Sequence, residues 1–443
     1  MNIYLDLHIK WFLILFILLL GCSKVEIQKN MSFGTSEEEK YNLIVKEYLN
    51  KRDFTNPKYL SYLNDMLSVP QEYAFTFNEE KYIKDFEEYY LGMSIHFEEI
   101  KSLNVVDYGL TRLEVIKLLS QFLKLQELNK RISINESLIK KIFSYVISEI
   151  EYFYKVQNPG WPPKYNGNVE DRVNWAISAW ERNEYDKSLP KNHYAINDDL
   201  WRLFEAAANI KKYITLSNNQ SFSFIDELLK LSYACVSKFG NTENNTYAFQ
   251  PGALFDHIDL KYAGHLEISD GMSFMPISSI ENDTSHFSMF PSMISALKNA
   301  YPKNSYHYNF YEEVNRKIGN AFYEKVVLYN NNSVFTKNYM DGTNGLYRYD
   351  DKLNDAYLPY EVSGTILFGT WSFLNHDNDE FFFKSILESF PLSKKTISIY
   401  QSKFSRNKDN YSVFQIENLY SDPNISIYSL FALRIAKRNK YFN

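Results

Sequence analysis

Apolar residues recur at spacings of three and four along most of this chain, which is the pattern of helices that bury one face. Leu113, Ile116, Leu119 and Phe122 form one such stripe. The pattern predicts a helix that opens at Asn197 and further helices over residues 38–50, 56–67, 78–96, 110–128, 135–156, 170–182, 223–239, 289–301, 308–328, 359–374, 379–388 and 425–437. The chain is therefore expected to be mainly α-helical.

Two segments carry strand signals instead. Residues 333–350 hold two β-prone runs around Asp341-Gly342 and Asn344-Gly345, which predicts a β-hairpin. Residues 395–404 predict one more strand. The sequence has no clear repeat of fixed period. A dozen helices with short links can close as antiparallel pairs, so the expected fold is an (α/α) toroid of antiparallel helix pairs with a few short strands and hairpins.

The N-terminal segment predicts a secretory leader. Its apolar run, residues 11–20, is too short to span a bilayer but has the length of a signal-peptide core. The run ends in Leu19-Leu20-Gly21-Cys22, which resembles a bacterial lipobox. The resemblance implies a lipoprotein signal peptide over residues 1–21 and lipidation of Cys22, and an uncleaved anchor is the alternative. A polar tether over 22–37 and a toroid-like domain over 38–443 would follow.

That resemblance also implies a location. Ser23 stands where lipoproteins retained in the inner membrane often carry Asp, so an outer-membrane address is favoured. The expected place is the bacterial cell envelope, with the lipid anchor in the membrane and the folded domain in the periplasm or at the surface.

Composition excludes several classes of function. A leader would leave Cys235 as the only other cysteine, which rules out an internal disulfide, and its apolar neighbours predict that it is buried. The chain has 54 acidic and 48 basic residues, a net charge of −6, and no long basic run, so nucleic acid is not an expected partner. It has no P-loop, G-x-G-x-x-G or G-x-S-x-G motif, and no cofactor is expected.

The stretch from Tyr247 to Tyr301 is the irregular segment between helical halves. Pro291 is tolerated only in a first helical turn, so the next helix should begin near Met289 and His286 should precede it. The helix dipole there favours a neutral imidazole, which a general base requires, and Asp283 could orient it. The competing interpretation is that both residues only close an N-terminal turn.

A second histidine and a carboxylate lie two residues apart in the same stretch. In an extended segment, His265 and Glu267 would share one face and could act as base and orienting carboxylate. They could equally lie on the solvated face of a half-exposed strand. HExxH and CxxC spacings are absent, so no metal site is expected.

Other segments contribute candidate residues outside this stretch. Tyr360 and Glu361 follow Pro359 at a predicted helix start, where Glu361 could also be only a partner of the helix dipole. Flat aromatic faces with Arg and Asn donors suit an anionic sugar polymer. The substrate-binding candidates are Trp161, Arg172, Asn174, Asn192, His193 and Arg348.

The predicted helix pairs and the Asp283-Thr-Ser-His286 loop resemble the (α/α)-toroid carbohydrate-active enzymes: uronate polysaccharide lyases, uronyl epimerases and related glycoside hydrolases. The resemblance implies an envelope lipoprotein that processes a polysaccharide or oligosaccharide, as a lyase on uronates. It would use His286 or His265 as base, Tyr347 or Tyr360 as acid, and Arg172 or Asn192 to neutralise the uronate carboxylate.

Two alternatives remain open at this point. One is an inverting hydrolase that uses two carboxylates among Asp270, Asp283 and Glu361. The other is a non-catalytic glycan-binding or scaffold lipoprotein, in which the histidines would not converge on one cleft.

Overall fold

The computed structural model of the protein describes residues 35–157, 167–242, 245–330, 332–405 and 419–442. The predicted leader, Cys22, most of the predicted tether and Trp161 lie outside these ranges. Within them the chain is mainly helical, with short antiparallel strand pairs. Among the described helices, none is both long enough and apolar enough to cross a membrane.

Seventeen α-helices lie within the described ranges. They are α1 Glu37–Tyr41, α2 Glu47–Lys51, α3 Pro57–Leu60, α4 Leu63–Phe77, α5 Glu80–Met93, α6 Phe97–Ser102, α7 Val105–Leu128, α8 Glu136–Lys155, α9 Val169–Arg182, α10 Asp198–Ser217, α11 Ser223–Phe239, α12 Thr284–Phe287, α13 Phe290–Asn299, α14 Tyr306–Ala321, α15 Asp379–Glu388, α16 Lys394–Ser405 and α17 Ser426–Phe442. Most predicted helices are confirmed, but residues 359–374 form the 3-10 segments Ser363–Phe368 and Thr370–Leu374. Residues 56–67 fall in two helices, α3 and α4, and the helix predicted over 308–328 ends before residues 327–328, which lie in a strand.

The strands of the described residues form three two-stranded antiparallel sheets. They are β1 Gly240–Asn241, β2 Ala248–Phe249, β3 Val327–Asn330, β4 Ser333–Thr336, β5 Tyr347–Asp350 and β6 Asp355–Tyr357. The predicted hairpin is wrong in its pairing, because β4 pairs with β3 and β5 pairs with β6. β4 and β5 each pair with a strand that is nearer in sequence than they are to each other, so residues 341–345 do not form the turn of a hairpin.

The strand predicted over 395–404 is also wrong, because this segment lies within helix α16. Ser393 accepts a hydrogen bond from the backbone N–H of Thr396 at the start of the helix. Thr396 and Tyr400, four residues apart, are both buried. The buried residues are therefore spaced as in a helix, and the short alternation of Ile and polar residues that suggested a strand does not determine the structure.

Five helices and one 3-10 segment pack against one another in a continuous series. Helix α7 packs between α4 and α10, and α10 packs against α13. Helix α13 contacts the 3-10 segment Thr370–Leu374, which contacts α17, and α17 returns to α4. Helices α8, α11, α14 and α15 pack against members of this series. A contiguous cluster of buried apolar side chains extends from Tyr41 to Ala436.

Polar side chains are buried where α7 and α10 meet. Arg202 donates from Nε to Glu114 at 2.6 Å, and one turn further Lys117 lies 3.3 Å from Glu205. Ser292 of α13 donates to the same Glu205 at 2.7 Å. Buried charges are costly unless they are paired, so these contacts hold the helix ends in fixed positions. Cys235 is buried, as predicted.

Candidate functional site

Asp283 organises the loop that leads into α13. Its carboxylate accepts hydrogen bonds from the Ser285 hydroxyl and from the backbone N–H of His286, the latter at 3.1 Å, and so caps the one-turn helix α12. The imidazole Nδ1 of His286 lies 2.8 Å from Oδ2 and 3.0 Å from Oδ1 of the same carboxylate. A carboxylate only accepts, so Nδ1 is the nitrogen that donates to it, and the tautomer of the neutral ring that fits this contact has its lone pair on Nε2.

Tyr347 and Arg348, on β5, lie next to the Asp283–His286 pair, which is called the dyad below. The Tyr347 hydroxyl lies 3.3 Å from His286 Nδ1, and the Arg348 guanidinium lies 5.0 Å from the centre of the Tyr347 ring. Arg348 Nε donates to Asp259 at 2.9 Å. Arg348 has φ +55°, a conformation that costs a non-glycine residue about 1 kcal/mol or more. The ion pair and ring contact hold it there.

A close backbone approach docks β5 on the preceding loop. Gly345 has no room for a side chain, because a Cβ at this position would lie 1.6 Å from the Ala263 carbonyl oxygen. The next residue, Leu346, donates its N–H to the His265 carbonyl at 2.8 Å. This contact brings Tyr347 and Arg348 to the loop that carries Asp259.

The dyad faces a cavity of about 450 Å³, within the usual size of ligand sites. Its polar lining residues are Asp107, Asn197, Asp198, Asp199, His257, Asp259, Asn282, Asp283, His286, Tyr347 and Arg348. Its apolar lining residues include Val106, Leu110 and Trp201. His286 is 32% exposed, so a ligand in the cavity can reach its imidazole.

A second cavity of about 220 Å³ adjoins the first, and the two share Leu110, Asp198 and His286 as lining residues. Its other lining residues lie in the first half of α4, α7 and α10, in α12, in the links that precede α4 and α13, and in the 3-10 segment Ser363–Phe368. The Glu114–Arg202 pair also lines it. His286 and Asp198 therefore stand where the two cavities meet.

The two aspartates that open α10 are each held by a buried arginine. Arg202 Nη1 lies 2.6 Å from Asp198 Oδ2, and Arg172 Nη1 lies 2.6 Å from Asp199 Oδ2. Burial opposes ionisation of Asp198, but the Arg202 guanidinium and then His286 outweigh it and hold the pKa of this carboxyl below its usual range. Both carboxylates are thus fixed at the cavity wall.

The protonation states of Asp283 and Tyr347 suit proton transfer. Burial opposes ionisation of Asp283, but His286, Ser285 and Arg348 outweigh it and hold the pKa of the carboxyl well below its usual range. Burial, reinforced by Asp283, raises the pKa of the Tyr347 phenol well above its usual range. The carboxylate therefore stays charged and the phenol keeps its proton at neutral pH.

Of the six candidate catalytic residues, the structure brings His286 and Asp283 together at the cavity. His265 Nε2 lies 2.8 Å from the Ser273 carbonyl, and Glu267 is exposed in a turn region instead of the predicted extended segment. Glu361 accepts from the Leu358 N–H at 2.7 Å, and the backbone of Tyr360 contacts Asn344. These four residues do not line either cavity.

The substrate-binding candidates are dispersed. Arg348 lines the larger cavity, whereas Arg172 lies behind it on Asp199. Asn174 is exposed on α9. Asn192 and His193 lie in the short 3-10 turn Lys191–Tyr194, where the Asn192 N–H donates to Asp256 at 2.9 Å.

The sequence did not lead us to select Asp198, Asp259 or His257 as site residues, although His257 and Asp259 lie in the irregular stretch from Tyr247 to Tyr301. An aspartate next to Asn197 is typical of the first turn of a helix, and Asp198 does lie in the first turn of α10. No local sequence pattern indicated a functional role for it. His257 Nδ1 accepts from the Asp259 N–H at 3.1 Å beside the Arg348 ion pair. Within the described ranges, no group of three or more His, Cys, Asp or Glu residues is arranged to hold a metal.

Comparison with known proteins gives no further identification. No protein-family model matches the chain, and neither the curated proteins nor the solved structures contain a match.

Proposed function

We propose that the helices form an (α/α) toroid. The support is the order of helix contacts: α4, α7, α10, α13, the 3-10 segment Thr370–Leu374 and α17 each contact the next, and the last contacts the first. Helices α8, α11, α14 and α15 would form the outer layer. The shared face on which α4, α7, α10 and α13 begin would then be the face that carries the site.

We further propose that the protein processes a glycan by β-elimination beside a uronate carboxylate. One observation carries this proposal: Asp283, His286, Tyr347 and Arg348 converge on one wall of the 450 Å³ cavity. Together they supply an oriented base, a protonated acid and a cation.

Each of these four side chains would have one role in the reaction. His286 Nε2 removes the proton on C5 of the uronate, and Arg348 neutralises the carboxylate that stabilises the resulting carbanion. The electron pair forms the C4–C5 double bond as the C4–O bond breaks. Tyr347 donates its proton to the leaving oxygen, and solvent restores both residues. Asp283 holds the His286 ring and stabilises its charged form.

The charge of the cavity limits the range of glycans that we expect as substrates. Five aspartates line the larger cavity, but its lining in the described part of the chain includes a single arginine, Arg348. A densely anionic polymer would meet repulsion along this wall. We therefore expect a glycan with isolated or unsulfated uronates, processed better than a sulfated polymer.

The test is incubation of the purified protein with glucuronate, mannuronate and galacturonate polymers and with sulfated and unsulfated glycosaminoglycans. Elimination creates an unsaturated uronate that absorbs ultraviolet light. His286→Ala should lower the rate about 10²-fold or more, the usual contribution of a general base. His265→Ala is the matched control, a loop histidine outside both cavities, and should retain activity. No absorbance with any polymer would reject the lyase proposal.

Inverting hydrolysis is the second candidate, favoured by the aspartates on the cavity wall. Of its predicted carboxylates, Asp283 lines the cavity, whereas Asp270 is exposed and Glu361 is used in a local turn. Reducing ends released without ultraviolet absorbance would favour hydrolysis. Saccharide binding without any product would favour the non-catalytic alternative.

The envelope location remains our proposal and rests on residues 11–22, with Ser23 favouring the outer membrane. Expression of the full chain in a bacterium should place it in the membrane fraction, with a lipid attached to Cys22 by mass spectrometry. Cys22→Ser should prevent lipidation, and an unmodified wild-type cysteine would contradict the proposal.

A further inference from the structure

Asp198 differs from the neighbouring Asp199 in one respect that bears on ligand binding. Both residues open α10, both line the larger cavity, and both contact a buried arginine at 2.6 Å. Asp199 uses both oxygens, because Oδ2 accepts from Arg172 Nη1 and Oδ1 accepts from the Leu200 N–H at 2.8 Å. Asp198 uses Oδ2 for Arg202, and its Oδ1 accepts no hydrogen bond from any residue in the described ranges.

The position of Asp198 adds a second observation. With Leu110 and His286, it lines both cavities, so a ligand that extends past His286 from one cavity to the other passes this carboxylate. Its side chain is 19% exposed, which leaves it accessible. Arg202 is held in turn by Glu114, so the carboxylate cannot turn away without breaking buried ion pairs.

We infer that Asp198 is a substrate-binding residue whose Oδ1 accepts a hydrogen bond from a hydroxyl group of the sugar ring beside His286. The ligand class is a polyhydroxylated sugar that occupies both sides of the junction. This inference rests on the proposed glycan-processing function, but it concerns recognition and not the type of reaction.

Binding measurements test it without turnover. In the His286→Ala background, calorimetry would compare Asp198→Asn with Asp199→Asn, using unsulfated uronate tetrasaccharides and neutral tetrasaccharides. Arg202 keeps Glu114 when Asp198 is replaced, whereas Arg172 loses the carboxylate that pairs with it when Asp199 is replaced. Asp199→Asn should therefore lose at least as much stability, so a selective loss of binding in Asp198→Asn would not come from poorer folding. Asp198→Asn should weaken binding about five- to tenfold, because a charged acceptor becomes neutral, whereas Asp199→Asn should change it less than twofold.

A second measurement covers the case in which Asp198→Asn does not fold. Tetrasaccharides that lack one hydroxyl each would be titrated into the His286→Ala protein, and one deletion should weaken binding about tenfold. Equal effects of the two Asn variants, or no sensitive hydroxyl, would overturn the inference. Binding of neutral but not uronate saccharides, still sensitive to Asp198, would overturn the lyase proposal and support this inference. No binding of any saccharide would overturn both.

Discussion

Replacement of Asp283 separates two roles that the structure combines in one side chain. Oδ1 caps α12 through the His286 N–H, and both oxygens lie within 3.0 Å of the His286 imidazole Nδ1. Serine is also a good N-cap but is too short to hold the ring. Asp283→Ser should therefore keep the cap and lose the dyad, whereas Asp283→Ala should lose both.

The expected magnitudes follow from those contacts. Loss of the cap costs about 1 kcal/mol, so Asp283→Ala should be less stable than Asp283→Ser by about that amount in urea unfolding. Loss of the oriented imidazole should lower kcat/KM about 10²- to 10⁴-fold in both variants. The assay is the rate of unsaturated uronate formation.

A control and a direct readout accompany this comparison. Ser285→Ala removes one hydrogen bond to Asp283 but leaves the imidazole contact, so most of the activity should remain. Nitrogen NMR of the imidazole should show the proton on Nδ1 in the wild type and a mixture of tautomers in Asp283→Ser. An active Asp283→Ser variant with an unchanged imidazole spectrum would show that the aspartate is only a cap.

Three further outcomes can be measured. Tyr347→Phe removes the proposed acid and should lower kcat about 10²-fold with little change in melting temperature, whereas Tyr349→Phe, outside both cavities, should not. Arg348→Lys keeps the charge but loses the planar donor pair, so KM should rise about tenfold, and an unchanged KM would exclude it from carboxylate binding. Burial raises the pKa of Asp379 from 3.8 to about 8, so the folded state holds a proton that the unfolded state releases. The free energy of unfolding should therefore fall as the pH rises from about 4 to about 8. Asp379→Asn should flatten that dependence in urea unfolding, and an identical slope would contradict the shift.

Sequence reasoning succeeded where the decisive information is local. Pro291 predicted a helix start near Met289, and α13 begins at Phe290. Asp283 and His286 are three residues apart, so their contact follows from one turn of chain. The apolar stripes predicted most helices because each stripe lies within one element.

The rest of the site depends on contacts between distant segments. Tyr347 meets His286 across 61 residues, and Arg348 meets Asp259 across 89. No local pattern encodes that β5 pairs with β6 or that Gly345 lies against Ala263. His265 shows the opposite error, because its spacing from Glu267 suited an extended strand that the chain does not form. Its carbonyl instead supports the docking of β5.

The packing of α17 on α4 couples the two ends of the described chain. Phe431 stacks on Tyr73 with ring centres 4.0 Å apart, and Arg434 pairs with Glu37. A ribosome releases Tyr73 long before Phe431, so the part of the α4 surface that packs on α17 stays uncovered until α17 has emerged. Neither end should then fray independently. Hydrogen exchange should show that deletion of α17 lowers the opening energy of α4, which would keep its contact with α7.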